Sequence, residues 1–210
     1  MSRGYQPEGF HAGSSGGSGG AHAAAAAGAT DAARAGHSGP AAAAGVRLRL
    51  IRIEEMSAVG ALARTAYDES YPGLPADYLA EIEAVAERAR TAQVWVAEDD
   101  ATGAILGTVT LPEPGQVLSA VARDGEIDVR LLAVVGIARG RGVGGLLMRL
   151  AIDTARERGA SRLVLNTSTE MPGARRLYER MGFHRLFERE EDIVREDGSA
   201  FTLLAYGFEL

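Results

Sequence analysis

Hydrophobic and polar positions along this chain fall into two rhythms. Arg47 to Ile53 sets Leu48, Leu50 and Ile51 among Arg47, Arg49 and Arg52, as an edge or half-buried strand would. From Ser57, a plausible N-cap, the rhythm lengthens. Val59, Leu62, Ala63 and Ala66 recur at i, i+3, i+4, i+7, which predicts an amphipathic helix. Tyr71-Pro72-Gly73 interrupts the chain. Pro75 then opens a second helix with the stripe Tyr78, Ile82, Val85 and Ala89. Val94-Trp95-Val96 and Ile105 to Leu111 are the arms of a hairpin around Asp99–Gly103. Pro112 to Gly125 is a loop. Asp128 to Val135 is a mostly apolar, buried strand. Val143, Leu147, Leu150, Ala151 and Thr154 stripe a third helix, with Arg149, Asp153 and Arg156 on its wet side and Gly159 as its stop. Leu163-Val164-Leu165 is a short buried strand, parallel to the central one across that helix. A fourth helix covers Pro172 to Met181 and ends at Gly182. Phe183 to Glu188 and Ala200 to Tyr206 form a last hairpin with Asp197-Gly198 at its turn.

Before Val46 both rhythms vanish. Residues 1–45 are Gly, Ala, Ser and His with almost no large aliphatic side chains, too little apolar surface to offset the entropy of ordering. This division predicts a disordered Gly/Ala-rich tail over 1–45 and one domain over 46–210. The net charge of −6 argues against a nucleic-acid partner. The sequence has no cysteine, so no thiolate can serve as metal ligand or nucleophile. Three of its four histidines lie in the tail, which speaks against a histidine-based metal site. Nothing has the length and apolarity of a membrane span, and the first residues do not look like a signal peptide. The expectation is a cytoplasmic protein without a membrane partner.

One stretch carries chemistry. After the central strand, four glycines crowd into Gly140–Gly145, and a helix opens at Val143. Strand, glycine turn and helix aim free backbone N–H groups at an anion, and the helix dipole reinforces them. Gly140, Gly142 and Gly145 satisfy G-x-G-x-x-G, but the acidic residue that a dinucleotide site needs after the next strand is replaced by Asn166 and Thr167. No Lys-Ser or Lys-Thr follows, so a P-loop fails as well. Arg139-Gly140-Arg141-Gly142-Val143-Gly144 reads R-x-x-G-x-G instead. With Leu132-Ala133-Val134 before it and L-Y-E-R-M-G-F at 177–183 after it, the chain resembles the GNAT superfamily of N-acetyltransferases over roughly residues 46–210.

That resemblance implies an α/β (α+β) fold, a mixed central sheet of about six to seven strands flanked by about four helices. It implies acetyl-CoA as acyl donor and no metal. Leu132, Ala133 and Val134 would pair with the pantetheine arm. Backbone N–H groups of Arg139, Gly140, Arg141, Gly142, Val143, Gly144 and Gly145 would hold the pyrophosphate. Tyr178 would protonate the departing thiolate; the competing reading is a core tyrosine with a satisfied hydroxyl. Met171 stands where many relatives carry an asparagine seven residues before this tyrosine, so that side-chain contact is either missing or supplied by Thr167 or Ser168.

An amine is mostly protonated at neutral pH, so a base must relieve it of a proton. Asp128 lies where some relatives carry that acid. Glu126, two residues earlier, shares its face of the strand, and two acids on one face raise one pKa. The competing reading is a pair of solvated charges. His184 is expected to be an ordinary strand residue, and the acidic run Glu188–Asp192 a solvated surface. The expected activity is acetyl transfer to a primary amine of a small molecule or peptide by direct attack in a ternary complex. The acceptor wall would come from Tyr67–Pro72 and the final hairpin. A non-catalytic acyl-CoA sensor is the alternative, and a homodimer stays an open option.

Overall fold

The alternation beginning at Arg47 ends sooner than its pattern implies. In the computed structural model, which describes residues 45–195 and 198–210, β1 spans Val46–Leu50 and a 3-10 turn fills Ile53–Glu55. Helix α1 (Met56–Ser70) starts directly from that turn, so Ser57 lies inside it and caps nothing. Glu55 is the N-cap residue of α1 without a side-chain bond to it; its carboxylate instead closes the 3-10 turn, accepting the Arg52 N–H at 2.9 Å and gripping Arg49 at 2.6 and 2.7 Å. The second predicted helix is two, α2 (Ala76–Glu83) and α3 (Val85–Arg88), broken at Ala84. Arg88 stitches that break by donating to the carbonyls of Glu81 and Ile82.

Strands β2 (Ala92–Asp99) and β3 (Ile105–Pro112) form the expected antiparallel hairpin, its turn tied by the Asp99 carboxylate. The central strand is not continuous. It divides into β4 (Glu126–Asp128) and β5 (Arg130–Val134). Between them the chain changes sheets. β5 is the last strand of the order β1-β2-β3-β5, whereas β4 begins a second sheet, β4-β6-β9-β7, with β8 added on β9. Here β6 is Arg162–Ser168, β7 is His184–Arg185, β8 is Glu191–Val194 and β9 is Ala200–Glu209. The predicted last hairpin thus holds an additional short strand. Phe183–Glu188 contributes only β7, and β8 is the arm that returns into β9. Asp197, half of the expected turn, and the predicted tail up to residue 44 lie outside the described residues.

Helix α4 (Val143–Glu157) buries its predicted stripe completely and also Leu146, Met148, Ile152 and Ala155. It packs with Leu106, Val109, Leu163, Leu165 and Tyr206 in the largest apolar cluster. Residues of β5 alternate between two such clusters, as a strand buried on both faces must. Leu132 and Val134 lean on the α4 cluster; Leu131 and Ala133 enter a second one with Tyr67, Leu79, Ile82 and Met171. Helix α5 (Pro172–Arg180) follows β6 and closes one end of the molecule.

Candidate active site

The sheet change makes the site. β4 runs parallel to β6 through Asp128↔Val164, and the Val129 N–H donates to the Val164 carbonyl at 3.0 Å. Beyond that point β5 turns away to pair with β3. Between Thr108↔Ala133 and Thr110↔Arg130 the register advances two residues on β3 and three on β5, one extra residue. This is a bulge, and Leu131 sits in it at φ 53°, sparsely populated for a branched residue. Burial of its side chain holds it there. One edge of β5 and the facing edge of Leu165–Ser168 in β6 are consequently unpaired. The strands bound a cleft of about 1360 Å³ lined by Leu131–Val134 on one side and Asn166–Ser168 on the other.

At one end of the cleft stands the glycine turn. Gly140 and Gly142 have φ of 77° and 83°, which only glycine adopts readily, and Gly142 caps α4 with no side chain assisting. The first helical bond runs from the Leu146 N–H to the Gly142 carbonyl. The N–H groups of Gly140, Gly142, Val143, Gly144 and Gly145 therefore have no backbone acceptor among the described residues. Those of Arg139 and Arg141 differ from expectation, since they donate inside the turn to Gly136 and Ala138. The arginine side chains brace the turn too. Arg139 reaches the carbonyls of Val134 at 3.3 Å and Ala66 at 3.0 Å, and Arg141 approaches Asp99 at 3.5 Å. Gly144 serves closeness: a Cβ there would meet Leu177 at 3.2 Å and Val134 at 3.6 Å.

Midway along the cleft, α5 presents Tyr178. Its ring packs beside Phe183 and Tyr206, with centroids 5.9 and 6.1 Å away. The two tyrosines end differently. Tyr206 donates its hydroxyl to Glu179 at 2.7 Å, whereas the Tyr178 hydroxyl has no hydrogen-bond partner among the described residues and its residue lines the cleft. Burial, with smaller contributions from Tyr71 and Tyr78, pushes the Tyr178 pKa up, so the group holds its proton at neutral pH.

The two acids of β4 do not act as a pair. Glu126 is almost fully enclosed, salt-bridged to Arg189 at 2.5 Å and Arg162 at 3.0 Å, and accepts the Arg123 N–H. Burial pushes its pKa up, but Arg189, the Arg123 amide and Arg162 outweigh it and the net shift is downward. Asp128 is fully buried. One oxygen accepts the Leu118 N–H at 2.7 Å and the other the Ser119 hydroxyl at 2.6 Å. Burial raises its pKa against those hydrogen bonds and the charge of Arg130. Asp128 itself does not line the cleft; Ser119 does.

The far wall carries Tyr67, Tyr71 and Tyr78, with Tyr67 edge-on to the others at 5.9 and 6.3 Å. The same cleft is lined by Glu191, Ile193 and Arg195 of the β8 region with Phe201 and Leu203 of β9. Met171 packs in the tyrosine cluster and offers no polar contact. Of the two substitutes, Ser168 caps the Glu170 N–H at 3.1 Å, while the Thr167 hydroxyl is buried at the cleft wall without a partner among the described residues. Most of the acidic run is engaged, Glu190 by Arg185 and Asp192 by Thr202, and His184 is exposed on β7, 3.7 Å from Glu209. Ser119 and Tyr78 carried no sequence signal as site residues, because their place depends on contacts distant in the chain. Among the described residues no cluster suited to a metal ion occurs and no helix is long and apolar enough to cross a membrane.

A bulge-split strand, an open glycine turn on a helix and a tyrosine in the same cleft fit the GNAT class. The comparison with family models agrees: the acetyltransferase (GNAT) family model matches residues 56–183, and the chain belongs to that family. It is 40% identical over 90 residues to mycothiol acetyltransferase of Beutenbergia cavernae, covering 43% of this chain and 28% of that protein. It is 37% identical over 78 residues to N-alpha-acetyltransferase 30 of Schizosaccharomyces pombe, covering 37% and 51%. The chain thus spans about half or less of the length of these relatives. A GNAT-family acetyltransferase structure from Staphylococcus aureus superposes with a TM-score of 0.60 at 14% identity, covering 79% of this chain and 99% of that one.

Proposed function

We propose that this protein transfers an acetyl group from acetyl-CoA to a primary amine of a small molecule or peptide, by direct attack in a ternary complex. One observation carries the reading: a tyrosine whose hydroxyl has no hydrogen-bond partner among the described residues lines the same cleft as a turn of free N–H groups and an aromatic wall. The donor fits what the cleft leaves unsatisfied. The N–H groups of Gly140 and Gly142–Gly145 suit a pyrophosphate, and the free β5 edge at Leu132–Val134 suits an arm that hydrogen-bonds like an added strand. Tyr178 supplies the proton for the thiolate. Asp128, not the doubly salt-bridged Glu126, is the acid left to take the amine's proton. With no cysteine in the chain, no thioester with the enzyme can precede attack. Amine acceptors also accord with the similarity to mycothiol and N-alpha acetyltransferases.

The test is thiol release from acetyl-CoA over a panel of amines that spans small polyamines, amino-acid amides and peptides with free N-termini. Turnover with intersecting initial-velocity lines supports the ternary complex. Tight CoA binding without turnover on any amine would make the protein a sensor instead.

A further inference from the structure

We infer that Ser119 is the group that touches the acceptor amine and relays its proton to Asp128, an inference that rests on the acetyltransferase reading above. Asp128 has no exposed surface, so no acceptor can reach its carboxylate directly. Among the described residues its one hydrogen-bonded route to the cleft is the Ser119 hydroxyl, which donates to Oδ2 at 2.6 Å from a half-buried residue on the cleft wall. Because that hydroxyl spends its proton on Asp128, its lone pairs are left to accept, which is what an incoming ammonium requires.

The loop that carries Ser119 is fixed on both sides. Asp128 Oδ1 holds the Leu118 N–H at 2.7 Å, and Arg189 donates to the Val121 carbonyl at 2.9 Å. Val121 packs with Val164, Leu186 and Ala205. Neighbouring charges are spoken for. Glu126 of β4 is held by Arg189 and by Arg162 of β6, and Arg130 of β5 by Glu81 of α2 at 3.1 Å. Arg123 and Asp124, both exposed in the loop, and Glu191 of β8 on the cleft wall are further charged groups near it. Burial raises the Asp128 pKa, so it accepts a proton more readily than an ordinary aspartate.

The step balances. As the ammonium passes one proton to Ser119 Oγ, the Oγ–H moves to Asp128 Oδ2, giving a neutral amine and a neutral carboxyl. The amine's electron pair forms the new C–N bond, the C–S bond breaks, and sulfur takes the Tyr178 proton. The second proton lost by nitrogen restores Tyr178, and Asp128 returns its own through Ser119 to water once product leaves.

The experiment compares wild type, Ser119→Ala and Ser119→Thr across pH, with the amine from the panel that wild type turns over best. Ser119→Ala is expected to lower kcat/KM at neutral pH by roughly tenfold to a hundredfold, the lower end of proton-transfer catalysis, since water can partly substitute. Above the amine's own pKa the acceptor arrives neutral, so the deficit should vanish; Ser119→Thr should keep most of the neutral-pH rate. Asp128→Asn adds a check with the geometry retained. Its Oδ1 still accepts the Leu118 N–H while its Nδ2 donates to Ser119, so it should show the same pH-dependent deficit. A Ser119→Ala deficit equal at every pH would mark a structural role and overturn the relay, as would wild-type kcat/KM at every pH. A wild type inactive on all amines would defeat the acetyltransferase reading itself, a separate result.

Discussion

β4 and β5 are separated only by Val129, yet they meet opposite fates. At β4 the sheet is closed, and both acids are fully engaged, Glu126 by two guanidinium groups and Asp128 by an amide and a hydroxyl. At β5 the sheet is open: among the described residues one strand edge has no strand partner, and the N–H groups of Gly140 and Gly142–Gly145 and the Tyr178 hydroxyl have no hydrogen-bond partner. Buried polar groups without partners cost free energy, so a fold tolerates such a set where a ligand completes it. The closed end provides the rigidity that keeps the open end open. The bulge at Leu131 divides them, since it turns one chain into a strand of each sheet.

The largest effect should come from filling the open end. Gly142→Val places a β-branched residue at φ 83°, a strain of about 1–3 kcal/mol, where the space around its Cβ is empty in the free protein. The domain should melt a few degrees lower and still fold cooperatively, while calorimetric titration with acetyl-CoA should show no binding. Affinity equal to wild type would mean that the pyrophosphate is held elsewhere.

Next is Tyr178→Phe. The ring keeps its contacts with Phe183 and Tyr206, so stability and acetyl-CoA affinity should hardly change. Turnover should fall on the order of a hundredfold, because the lost proton matters only in the transition state. Equal kcat in both proteins, with chemistry shown to limit the rate, would remove this hydroxyl from the mechanism.

The closed end can be tested by Glu126→Gln, which keeps the shape but removes the carboxylate that Arg189 and Arg162 share, leaving Arg162 with Glu209 at 2.6 Å and Arg189 with Glu188 at 3.5 Å. Truncating a buried pair outright costs about 3–5 kcal/mol; the glutamine should cost less, about 2, because it still accepts hydrogen bonds. The Glu126 pKa is lowered in the folded protein, so its stabilisation is present above the ordinary carboxylate range and is lost as pH falls through it. Asp128 has the opposite sign: its raised pKa favours the fold at low pH and that contribution fades as pH rises through the folded value. The melting temperature of Glu126→Gln should therefore fall less steeply on acidification than that of wild type. The kcat of the surviving folded protein should stay within a few-fold of wild type. A collapse of kcat without loss of stability would return Glu126 to the chemistry.

Much of the open end was legible in the sequence because it is local. Four glycines before an apolar stripe dictate a turn and a helix start within ten residues, and α4 buries every position its period assigned. The split of the central strand was not legible. Its apolar run reads the same whether or not Leu131 takes a positive φ, and only packing against Tyr67, Leu79 and Met171 decides that. Glu126 and Asp128 likewise looked equivalent at i and i+2. What separates them are Arg162, Arg189 and Ser119, brought in by β6, the turn before β8 and a loop with no periodicity.

The smallest effect is expected at Thr167, where the comparison is most easily broken. Its hydroxyl is buried in β6 at the cleft wall and has no hydrogen-bond partner among the described residues. Thr167→Val is nearly isosteric and keeps the β-branched shape that suits a strand. Removing an unsatisfied buried hydroxyl should leave the free protein as stable as before, or up to about 1 kcal/mol more stable. If the hydroxyl meets the acyl donor when the cleft is filled, the same change should weaken acetyl-CoA binding by about one hydrogen bond, roughly 0.5–1.5 kcal/mol or a few-fold to tenfold in Kd. Opposite signs for stability and affinity separate a ligand contact from a core residue, because a purely structural hydroxyl would move stability alone. Unchanged affinity would assign Thr167 to the closed end of the molecule, and the open edge of β6 would then act through its backbone only.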